Sequence, residues 1–503
     1  MTASIRFPTP YTVIFIVILL SALATWTIPS GAYDTLVYDQ DQQQFLLTTN
    51  TGTERMQADR EVLTRLGIPV ELEKFTEGKI KKPISVPGTY KQVDADPAGF
   101  ADVLFAPIKG MYEAIDIILF VLIIGGFMGV FNRSGAFDEG IGYLASTLKG
   151  RESLLIILVT SLIALGGTTF GLAEETLAFY PILVPVFLAA GYDLLIPVAV
   201  IFIGSSIGTM GSTINPFATI VASDAAGINW TTGFYSRLAM LVAGTAISIF
   251  YILRYARKVK KDPALSMVHK PGKASPSMAS PSTATATHSQ YHAVGAVNKL
   301  LLVLFALTFA VMIWGVSFQG WWFEEMTALF LLAAIIIGVL QRIGEHNFIE
   351  AFLAGARDLL GVSLIIGIAR GVTIVLNEGQ ISDTLLFYAA NLVEGMSGFL
   401  FLPALMLIFF VFTLFISSSS GLAVVTMPIM SSLSALVGVP TEEIVNAYLF
   451  GFGLMTFITP TGLILPSLAM VNVKYNVWLK FIWPLLVILA LVGIFIMWAG
   501  LLI

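Results

Sequence analysis

Two adjacent glutamates, Glu174 and Glu175, stand in the stretch GGTTFGLAEET, which runs from Gly166 to Thr176 between two long apolar segments. Carboxylates in apolar surroundings bind a cation, carry a proton or pair with a basic side chain, because burying an unpaired charge is costly. Neighbouring residues on a helix point about 100° apart, so we expect one glutamate to face a cavity. The other would then form a salt bridge with an arginine such as Arg370.

The composition assigns this chain to a lipid bilayer. Of its 503 residues 56% are hydrophobic and 12% are charged, and the mean hydropathy is +0.86, whereas soluble domains carry about a quarter charged residues. The absence of cysteine excludes a disulfide framework and a thiolate metal site. No histidine stands in an apolar run, which argues against a buried histidine metal site. The histidines are His269, His288, His292 and His346.

Several apolar runs approach the roughly 20 residues that cross a bilayer. They are Pro10–Ile28, Ile115–Phe131, Ser236–Tyr255, Leu300–Val316, Met326–Leu340, Gly361–Leu376 and Trp478–Ile503. Two longer runs, Leu195–Ala226 and Ile444–Val473, are interrupted at GTMGSTINP and at TFITPTGLILP. Two regions, Ser153–Ala190 and Phe399–Val437, have the pattern of a helix–break–helix hairpin. A signal peptide is the competing interpretation of the first run.

Polar segments divide the chain into two halves. Residues 29–97 predict an extracytoplasmic loop with short strands, and residues 256–298, rich in Ser, Pro, Ala and Thr, predict a flexible cytoplasmic linker. We therefore expect a first membrane repeat over 1–255 and a second over 299–503. The distribution of Lys and Arg, including the cluster Arg254–Lys261, predicts a cytoplasmic N-terminus and an extracytoplasmic C-terminus.

The two halves share a pattern of motifs. GLAEET in the first hairpin corresponds to GLAVVT in the second at an offset of 250 residues, so the glutamates correspond to Val424 and Val425. The same offset relates Thr209 to Thr459 in the interrupted runs. In the predicted topology the two copies enter the membrane from opposite sides and form an inverted repeat. Such repeats are typical of secondary transporters whose binding site lies near the membrane midplane.

Five stretches also carry a family resemblance: FPTPYTVIFIVILLSALATWTIPSGAY, GTTFGLAEETLAFYPI, SSIGTMGSTINPFA, SSSSGLAVVTMPIM and TPTGLILPSLAM. Through them the chain resembles the YfcC-type C4-dicarboxylate anaerobic carrier family, within the ion transporter superfamily. The resemblance implies an all-α homodimer in the bacterial inner membrane, in which a transport part moves like an elevator against a scaffold. It also implies a C4-dicarboxylate or a basic amino acid as substrate, for example arginine exchanged for ornithine.

The hairpin tips depart from those of better-understood relatives. Sodium–dicarboxylate carriers of the superfamily place Ser-Asn-Thr at both tips, whereas this chain has Thr168-Thr169-Phe170 and Ser418-Ser419-Ser420. The asparagine is absent from both tips, and only neutral hydroxyl groups remain there.

The chain breaks are the predicted binding site. A helix broken inside the bilayer leaves backbone groups unpaired, and half-helix N-termini favour carboxylates. The candidate substrate-binding residues are Thr168, Thr169, Glu174, Glu175, Thr213, Asn215, Ser418, Ser419, Ser420, Thr426, Thr459 and Thr461. A coupling Na⁺, if the carrier uses one, is expected near Gly208, Thr209, Asn215 and Thr459. The alternative for each hydroxyl is a bond to its own helix backbone.

The glutamates favour one substrate class over the other. A carboxylate beside the site would repel a dianion, but it would pair with the ammonium or guanidinium group of an amino acid. We therefore expect a basic amino acid, with its carboxylate at the hairpin tips and its cationic end at Glu174 or Glu175. The alternative is a C4-dicarboxylate carrier coupled to Na⁺ or H⁺, in which Glu175 carries the proton.

Other classes of function have weaker support. GSSIG at Gly204–Gly208 fits the G-x-S-x-G pattern of hydrolases, with Ser206 as nucleophile, but it lies in an apolar helix without a histidine base. We interpret it as close helix packing, and we expect neither an enzyme nor a cofactor. A channel would need a continuous polar pathway. The short basic cluster Arg254–Lys261 indicates orientation and contact with anionic lipid, not nucleic-acid binding.

Overall fold

The computed structural model describes residues 8–76, 80, 83–136, 139–140, 151–169, 171–268, 295–319, 321–393 and 395–502. Most of the predicted linker, 269–294, lies outside these residues, as do His269, His288 and His292. The predicted tip residue Phe170 lies outside them too.

The first half of the described chain is mainly helical. Its helices are α1 (Pro10–Thr27), α2 (Arg60–Arg65), α3 (Leu72–Thr76), α4 (Phe100–Glu113), α5 (Ile115–Asn132), α6 (Ser153–Thr169), α7 (Tyr180–Ala189), α8 (Leu195–Met210), α9 (Val221–Ala225) and α10 (Phe234–Lys261). A 3₁₀ segment, Glu174–Phe179, precedes α7, and π-helical turns occupy Ala199–Ile203 and Pro216–Ile220. Helix α10 continues into the predicted linker, because its last turn is rich in lysine, which favours helix and complements the helix dipole.

In the second half, every secondary-structure element of the described residues is a helix. Its helices are α11 (Ala296–Gln319), α12 (Phe323–Gln341), α13 (Glu345–Glu378), α14 (Ser382–Val393), α15 (Gly398–Phe415), α16 (Ser419–Val437), α17 (Thr441–Thr456), α18 (Ile464–Met470) and α19 (Tyr475–Gly500). Helix α13 has 34 residues and begins well before the predicted run Gly361–Leu376. No proline interrupts this polar first part, so the helix continues beyond its apolar segment.

Eight helices of the described chain are long and apolar enough to cross a membrane. Seven of them correspond to the predicted spans, which confirms a multi-pass membrane protein. The eighth, α15, was expected as one arm of a re-entrant hairpin, and its 18 residues equal the length of a full span.

The predicted helix breaks are confirmed. Helix α8 ends at Met210, and helical structure resumes at the turn Pro216–Ile220, where proline occupies the first position and lacks the N–H that a helix start leaves unpaired. Helix α17 ends at Thr456, and α18 begins only at Ile464. Both hairpin regions also consist of two helices separated by a non-helical or 3₁₀ connection.

Residues 29–97, here called the loop domain, contain the short strands expected there, so the all-α fold class applies to the membrane part and not to this segment. Their strands are β1 (Gly31–Ala32), β2 (Thr35–Asp39), β3 (Gln44–Thr49), β4 (Gly52–Gln57), β5 (Ile84–Ser85) and β6 (Lys91–Gln92). Four antiparallel strands form a sheet in the order β4-β3-β2-β5, and β1 pairs with β6. Leu36, Phe45 and Leu47 are buried on one face, since apolar residues alternate along β2 and β3.

The loop domain is attached to the membrane part at two places. At one of them Val424 of α16 belongs to the apolar core of the loop domain, and the Lys74 ammonium lies 2.8 Å from the Asp224 carboxylate of α9. At the other, the backbone N–H of Tyr33 donates to Asp383 over 2.9 Å. The loop domain therefore connects the start of α14 to the second hairpin.

Helices α4, α5 and α13 pack at glycine contacts and form what we call the α13 wall. A Cβ added at Gly355 would lie 2.1 Å from the carbonyl oxygen of Gly125. A Cβ added at Gly110 would lie 2.5 Å from the carbonyl oxygen of Gly367 and 2.7 Å from the nitrogen of Gly371. Only glycine permits such an approach, so these contacts hold the backbones of the three helices in one arrangement.

Candidate functional site

The chain breaks surround an enclosed cavity of about 460 Å³. Its lining comes from both hairpins, both broken helices, the start of α12 and the α13 wall. The lining residues that carry charged or polar side chains are Glu113, Asp116, Glu174, Glu175, Ser205, Ser206, Thr209, Asn215, Ser417, Ser418, Ser419, Ser420, Thr456, Thr459, Thr461 and Arg370. Its volume lies within the range of small-molecule sites.

A wider cleft of about 1030 Å³ lies where α1 meets the loop domain. Its lining carries one charged side chain, Asp94, and it opens to the surface. We therefore place the functional site in the enclosed cavity, where several charged groups converge.

Glu174 and Glu175 both line the cavity. Glu175 is 9% exposed, and its Oε2 accepts a hydrogen bond from the backbone N–H of Ala173 over 3.0 Å, whereas Glu174 is half-buried. The expectation that only one glutamate faces the cavity is wrong. Ala173 is not helical, with φ −133° and ψ −84°, so the two residues begin the 3₁₀ segment, and both line the cavity.

Arg370 of α13 faces the same cavity but is not paired with either glutamate. The half-buried guanidinium forms no hydrogen bond or ion pair within the described part of the chain. The predicted structural salt bridge is therefore absent, because Arg370 belongs to the α13 wall and the glutamates belong to the hairpin.

Two acidic side chains that the sequence analysis missed complete the charged lining. Glu113 ends α4 and Asp116 begins α5, on either side of a break at Ala114. In the sequence they precede an apolar span and look like ordinary interfacial residues. The one available signal is that α4 itself is a largely apolar helix, so the two acids interrupt a longer apolar stretch.

The charges of the cavity are unequal in number. Four carboxylates, those of Glu113, Asp116, Glu174 and Glu175, face one guanidinium, that of Arg370. No three acidic or imidazole groups of the described residues lie close enough together to hold a metal ion. The lining therefore carries more acidic than basic side chains.

The second hairpin contributes the start of a helix. Ser417 to Ser420 line the cavity, and the Ser418 Oγ accepts the N–H of Gly421 over 3.2 Å as the N-cap of the 19-residue helix α16. The Ser419 Oγ donates to the carbonyl oxygen of Phe217 over 3.3 Å. The partial positive charge of this helix start favours a carboxylate in the cavity.

The broken helices place three predicted threonines at the cavity: Thr209, Thr459 and Thr461. The Thr461 hydroxyl donates its proton to the carbonyl oxygen of Leu414 over 2.9 Å. In the contact of 2.7 Å between the Thr459 and Thr461 hydroxyls, Thr459 is therefore the donor. Thr459 is thus held by Thr461 at the edge of the cavity. The Thr209 hydroxyl donates to Ser205 of its own helix over 3.2 Å.

Asn215 lines the cavity but uses its amide to hold the break together. Its Oδ1 accepts the N–H groups of Phe217 and Ala218 over 2.9 and 3.2 Å, and its Nδ2 donates to Gly167 over 3.1 Å. A ligand or Na⁺ at the oxygen would compete with both backbone groups.

Five other predicted positions do not reach the cavity: Thr168, Thr169, Thr213, Thr426 and Gly208. The Thr168 hydroxyl lies 3.0 Å from that of Thr213, and Thr169 and Thr426 donate to the carbonyl oxygens four residues earlier. A Cβ added at Gly208 would lie 2.6 Å from the oxygen of Ala164. Local backbone groups and helix contact occupy these positions, which is the common behaviour of Ser and Thr in apolar helices.

The G-x-S-x-G stretch is a packing motif. Gly204 and Gly208 approach the carbonyl oxygens of Thr160 and Ala164 in α6, where an added Cβ would lie at 3.1 and 2.6 Å. This confirms the interpretation from sequence, because the glycines serve close helix contact. Ser206 between them also lines the cavity, which sequence reasoning missed.

A polar cavity among broken helices of a multi-pass helical protein is the arrangement of a membrane carrier. The chain belongs to the C4-dicarboxylate anaerobic carrier (DcuC) family, whose family model matches residues 7–501. The protein is therefore a membrane transporter and not an enzyme.

Two curated relatives cover almost the whole chain. An uncharacterized protein of Haemophilus influenzae is 42% identical over 97% of this chain and 96% of its own length. A putative basic amino acid antiporter, YfcC of Escherichia coli, is 29% identical over 94% of this chain and 92% of its own length.

Two solved structures are distantly similar. The Alcanivorax borkumensis YdaH transporter is 15% identical with a TM-score of 0.40, and the two chains cover 98% of each other. Neisseria gonorrhoeae MtrF, described among antimetabolite efflux pumps, is 17% identical with a TM-score of 0.39 over 98% of this chain and 95% of its own. Both are too distant to carry an argument about this fold.

Proposed function

We propose that this transporter is a secondary carrier of a basic amino acid, which it exchanges across the membrane. The observation that carries the proposal is the charge of the cavity, in which four carboxylates face one guanidinium. An amino acid such as arginine or ornithine has two positive groups and one negative group, so its net charge is opposite in sign to that of the cavity. The name of the relative described as a putative basic amino acid antiporter supports the same substrate class.

A C4-dicarboxylate is the second candidate. The half-buried Arg370 and the start of α16 would attract carboxylates, and the family model carries this substrate in its description. Two negative groups would, however, approach four acidic side chains, so protons or Na⁺ would have to bind with the substrate. In this version Glu175 carries the proton, because burial disfavours its charged form, or Na⁺ binds near Thr209 and Thr459.

The transport mechanism we propose is the alternating movement of two inverted repeats. The paired breaks in α8–α9 and α17–α18 and the paired hairpins support repeats over 1–255 and 299–503, joined by the linker 256–298. In this proposal the hairpins and broken helices move like an elevator against the α13 wall. We further propose a homodimer in the bacterial inner membrane, with the N-terminus cytoplasmic and the loop domain and C-terminus extracytoplasmic.

Counterflow in proteoliposomes tests the substrate class. Vesicles loaded with unlabelled arginine or succinate would receive the labelled compound outside, with and without Na⁺ and at two pH values. We expect arginine to exchange, independently of Na⁺, and Glu174→Gln or Glu175→Gln to abolish the exchange. Glu324→Gln is the matched control, because Glu324 is exposed at the start of α12 and does not line the cavity.

The result that would overturn the proposal is succinate counterflow in vesicles that exclude arginine. Dependence of succinate entry on Na⁺ or on pH would then identify the coupling ion. Arginine entry without saturation would instead indicate a channel.

A further inference from the structure

We propose that the α13 wall recognises the amino-acid head group of the substrate, with Arg370 binding the carboxylate and Glu113 and Asp116 binding the α-ammonium group. The cationic end of the substrate side chain then lies at Glu174 and Glu175. This inference rests on the proposed function, and it adds three specificity-determining residues that the sequence analysis did not assign to the substrate.

Arg370 is positioned to share a carboxylate with the start of α16. On α13, Thr373 lies one turn after Arg370 and therefore on the same face of the helix. The Thr373 hydroxyl donates to the carbonyl oxygen of Phe415 over 2.9 Å, directly before the serines that begin α16. The guanidinium has no partner among the described residues, and it offers the paired N–H groups that suit a carboxylate.

The acidic pair of the wall lines the cavity together with Arg370. A Cβ added at Gly367 of α13 would lie 2.7 Å from the Met111 Cγ of α4 and 3.0 Å from the Ile118 Cδ1 of α5. The segment that carries Glu113 and Asp116 is therefore packed on α13 at Gly367. Arg370 is three residues further along α13, a rise of about 5 Å.

The head group of an amino acid carries an ammonium and a carboxylate on one carbon. Arg370 and the acidic pair line the same cavity and offer groups of the opposite charge to each. The hairpin glutamates are on a different element, and no three of the acidic groups form a single cluster. The cavity therefore has separate acidic pairs for two positive groups, as a dibasic amino acid requires.

Three analogues of arginine separate these contacts in equilibrium binding measured by calorimetry on the purified carrier. Agmatine lacks the carboxylate, N-acetylarginine lacks the α-ammonium charge, and citrulline lacks the side-chain charge. We expect Arg370→Gln to weaken arginine binding about tenfold or more while agmatine binding stays unchanged. Asp116→Asn and Glu113→Gln should weaken arginine but spare N-acetylarginine.

Matched controls stand on the same elements. Arg357→Gln removes an exposed charge from α13 outside the cavity, and it should change none of the affinities. Arg370→Lys keeps the charge without the paired donors, and its arginine affinity should fall between those of the wild type and Arg370→Gln. Retained agmatine binding shows that the Arg370 variants have folded, and retained N-acetylarginine binding shows the same for Asp116→Asn and Glu113→Gln.

The inference is overturned if Arg370→Gln weakens arginine and agmatine equally, or affects neither. Failure of the proposed function has a different signature. In that case the wild type would bind neither arginine nor agmatine and would exchange succinate. A third outcome separates the two proposals: Glu175→Gln weakens arginine but not citrulline, and Arg370→Gln weakens arginine and agmatine alike. In that case only the head-group assignment is wrong.

Discussion

Replacing Gly110 by alanine should displace the α13 wall and weaken substrate binding. The new Cβ would lie 2.5 Å from the carbonyl oxygen of Gly367, whereas carbon–oxygen contacts between helices are normally no shorter than about 3.3 Å. Helices α4 and α13 must therefore separate by about 0.8 Å at this crossing. Both Glu113 and Arg370 are within one turn of the contact, so the separation changes the distance between them.

Two opposing effects determine the stability of Gly110→Ala. Forcing an extra methyl group into a packed contact costs about 1–3 kcal/mol, and the higher helix propensity of alanine returns about 1 kcal/mol. We expect a net loss of up to about 2 kcal/mol. The affinity for arginine should fall about tenfold, as for the loss of one charge-assisted hydrogen bond.

Thermal unfolding of the purified carrier in detergent, with and without arginine, measures both effects. Gly361→Ala is the control on the partner helix α13, because its added Cβ would meet only the Tyr11 hydroxyl at 3.3 Å. It should unfold at the wild-type temperature or slightly above. If Gly110→Ala matches Gly361→Ala in unfolding temperature and in arginine affinity, the glycine contact does not position the wall, and the reasoning is refuted.

Three further predictions concern the loop domain and the first break. Lys74→Met should lower the unfolding temperature more than Arg60→Met, because Lys74 pairs with the 1% exposed Asp224 whereas Arg60 forms an exposed pair, worth about 1 kcal/mol or less. Burial raises the pKa of the Asp383 carboxyl, and the hydrogen bond from a backbone N–H offsets only part of this rise. The carboxyl therefore binds its proton more tightly in the folded state than in the unfolded state. Stability should therefore fall as pH rises from the ordinary value of 3.8 through the raised pKa, and Asp383→Asn should flatten this part of a pH-dependent unfolding series. Asn215→Ala should abolish arginine counterflow and lower the unfolding temperature, whereas Asn215→Asp, which keeps an oxygen for the two N–H groups, should lower that temperature less.

Each of these three has a result that contradicts it. Equal unfolding temperatures for Lys74→Met and Arg60→Met would mean that the buried pair does not fasten the loop domain. An unchanged pH series for Asp383→Asn would remove that carboxyl from the attachment. Normal counterflow by Asn215→Ala would show that the first break keeps its shape without the amide.

Features that depend on local composition could be predicted from the sequence. The hydropathy of each run determines whether it spans the bilayer, and the predicted spans and both helix breaks are present in the structure. Gly and Pro at GTMGSTINP end and restart a helix through their own backbone preferences. The importance of Glu174 and Glu175 also follows locally, because two carboxylates in an apolar segment have to be accommodated. Sequence patterns identified the strands of the loop domain less clearly than they identified the spans and the helix breaks.

Tertiary structure alone decided which polar groups share the cavity. Hydroxyls with the same predicted role differ because Thr168 and Thr426 find backbone acceptors nearby, whereas Thr459 contacts the Thr461 hydroxyl and lines the cavity. Arg370 and Asp116 lie far apart in the chain and line one cavity because glycines let α5 and α13 approach closely. The bilayer environment, the helix breaks and the presence of two hairpin glutamates could be read from the sequence, since these follow from short-range preferences. The structure decided the charge balance of the site, because side chains from distant segments become neighbours only when helices pack.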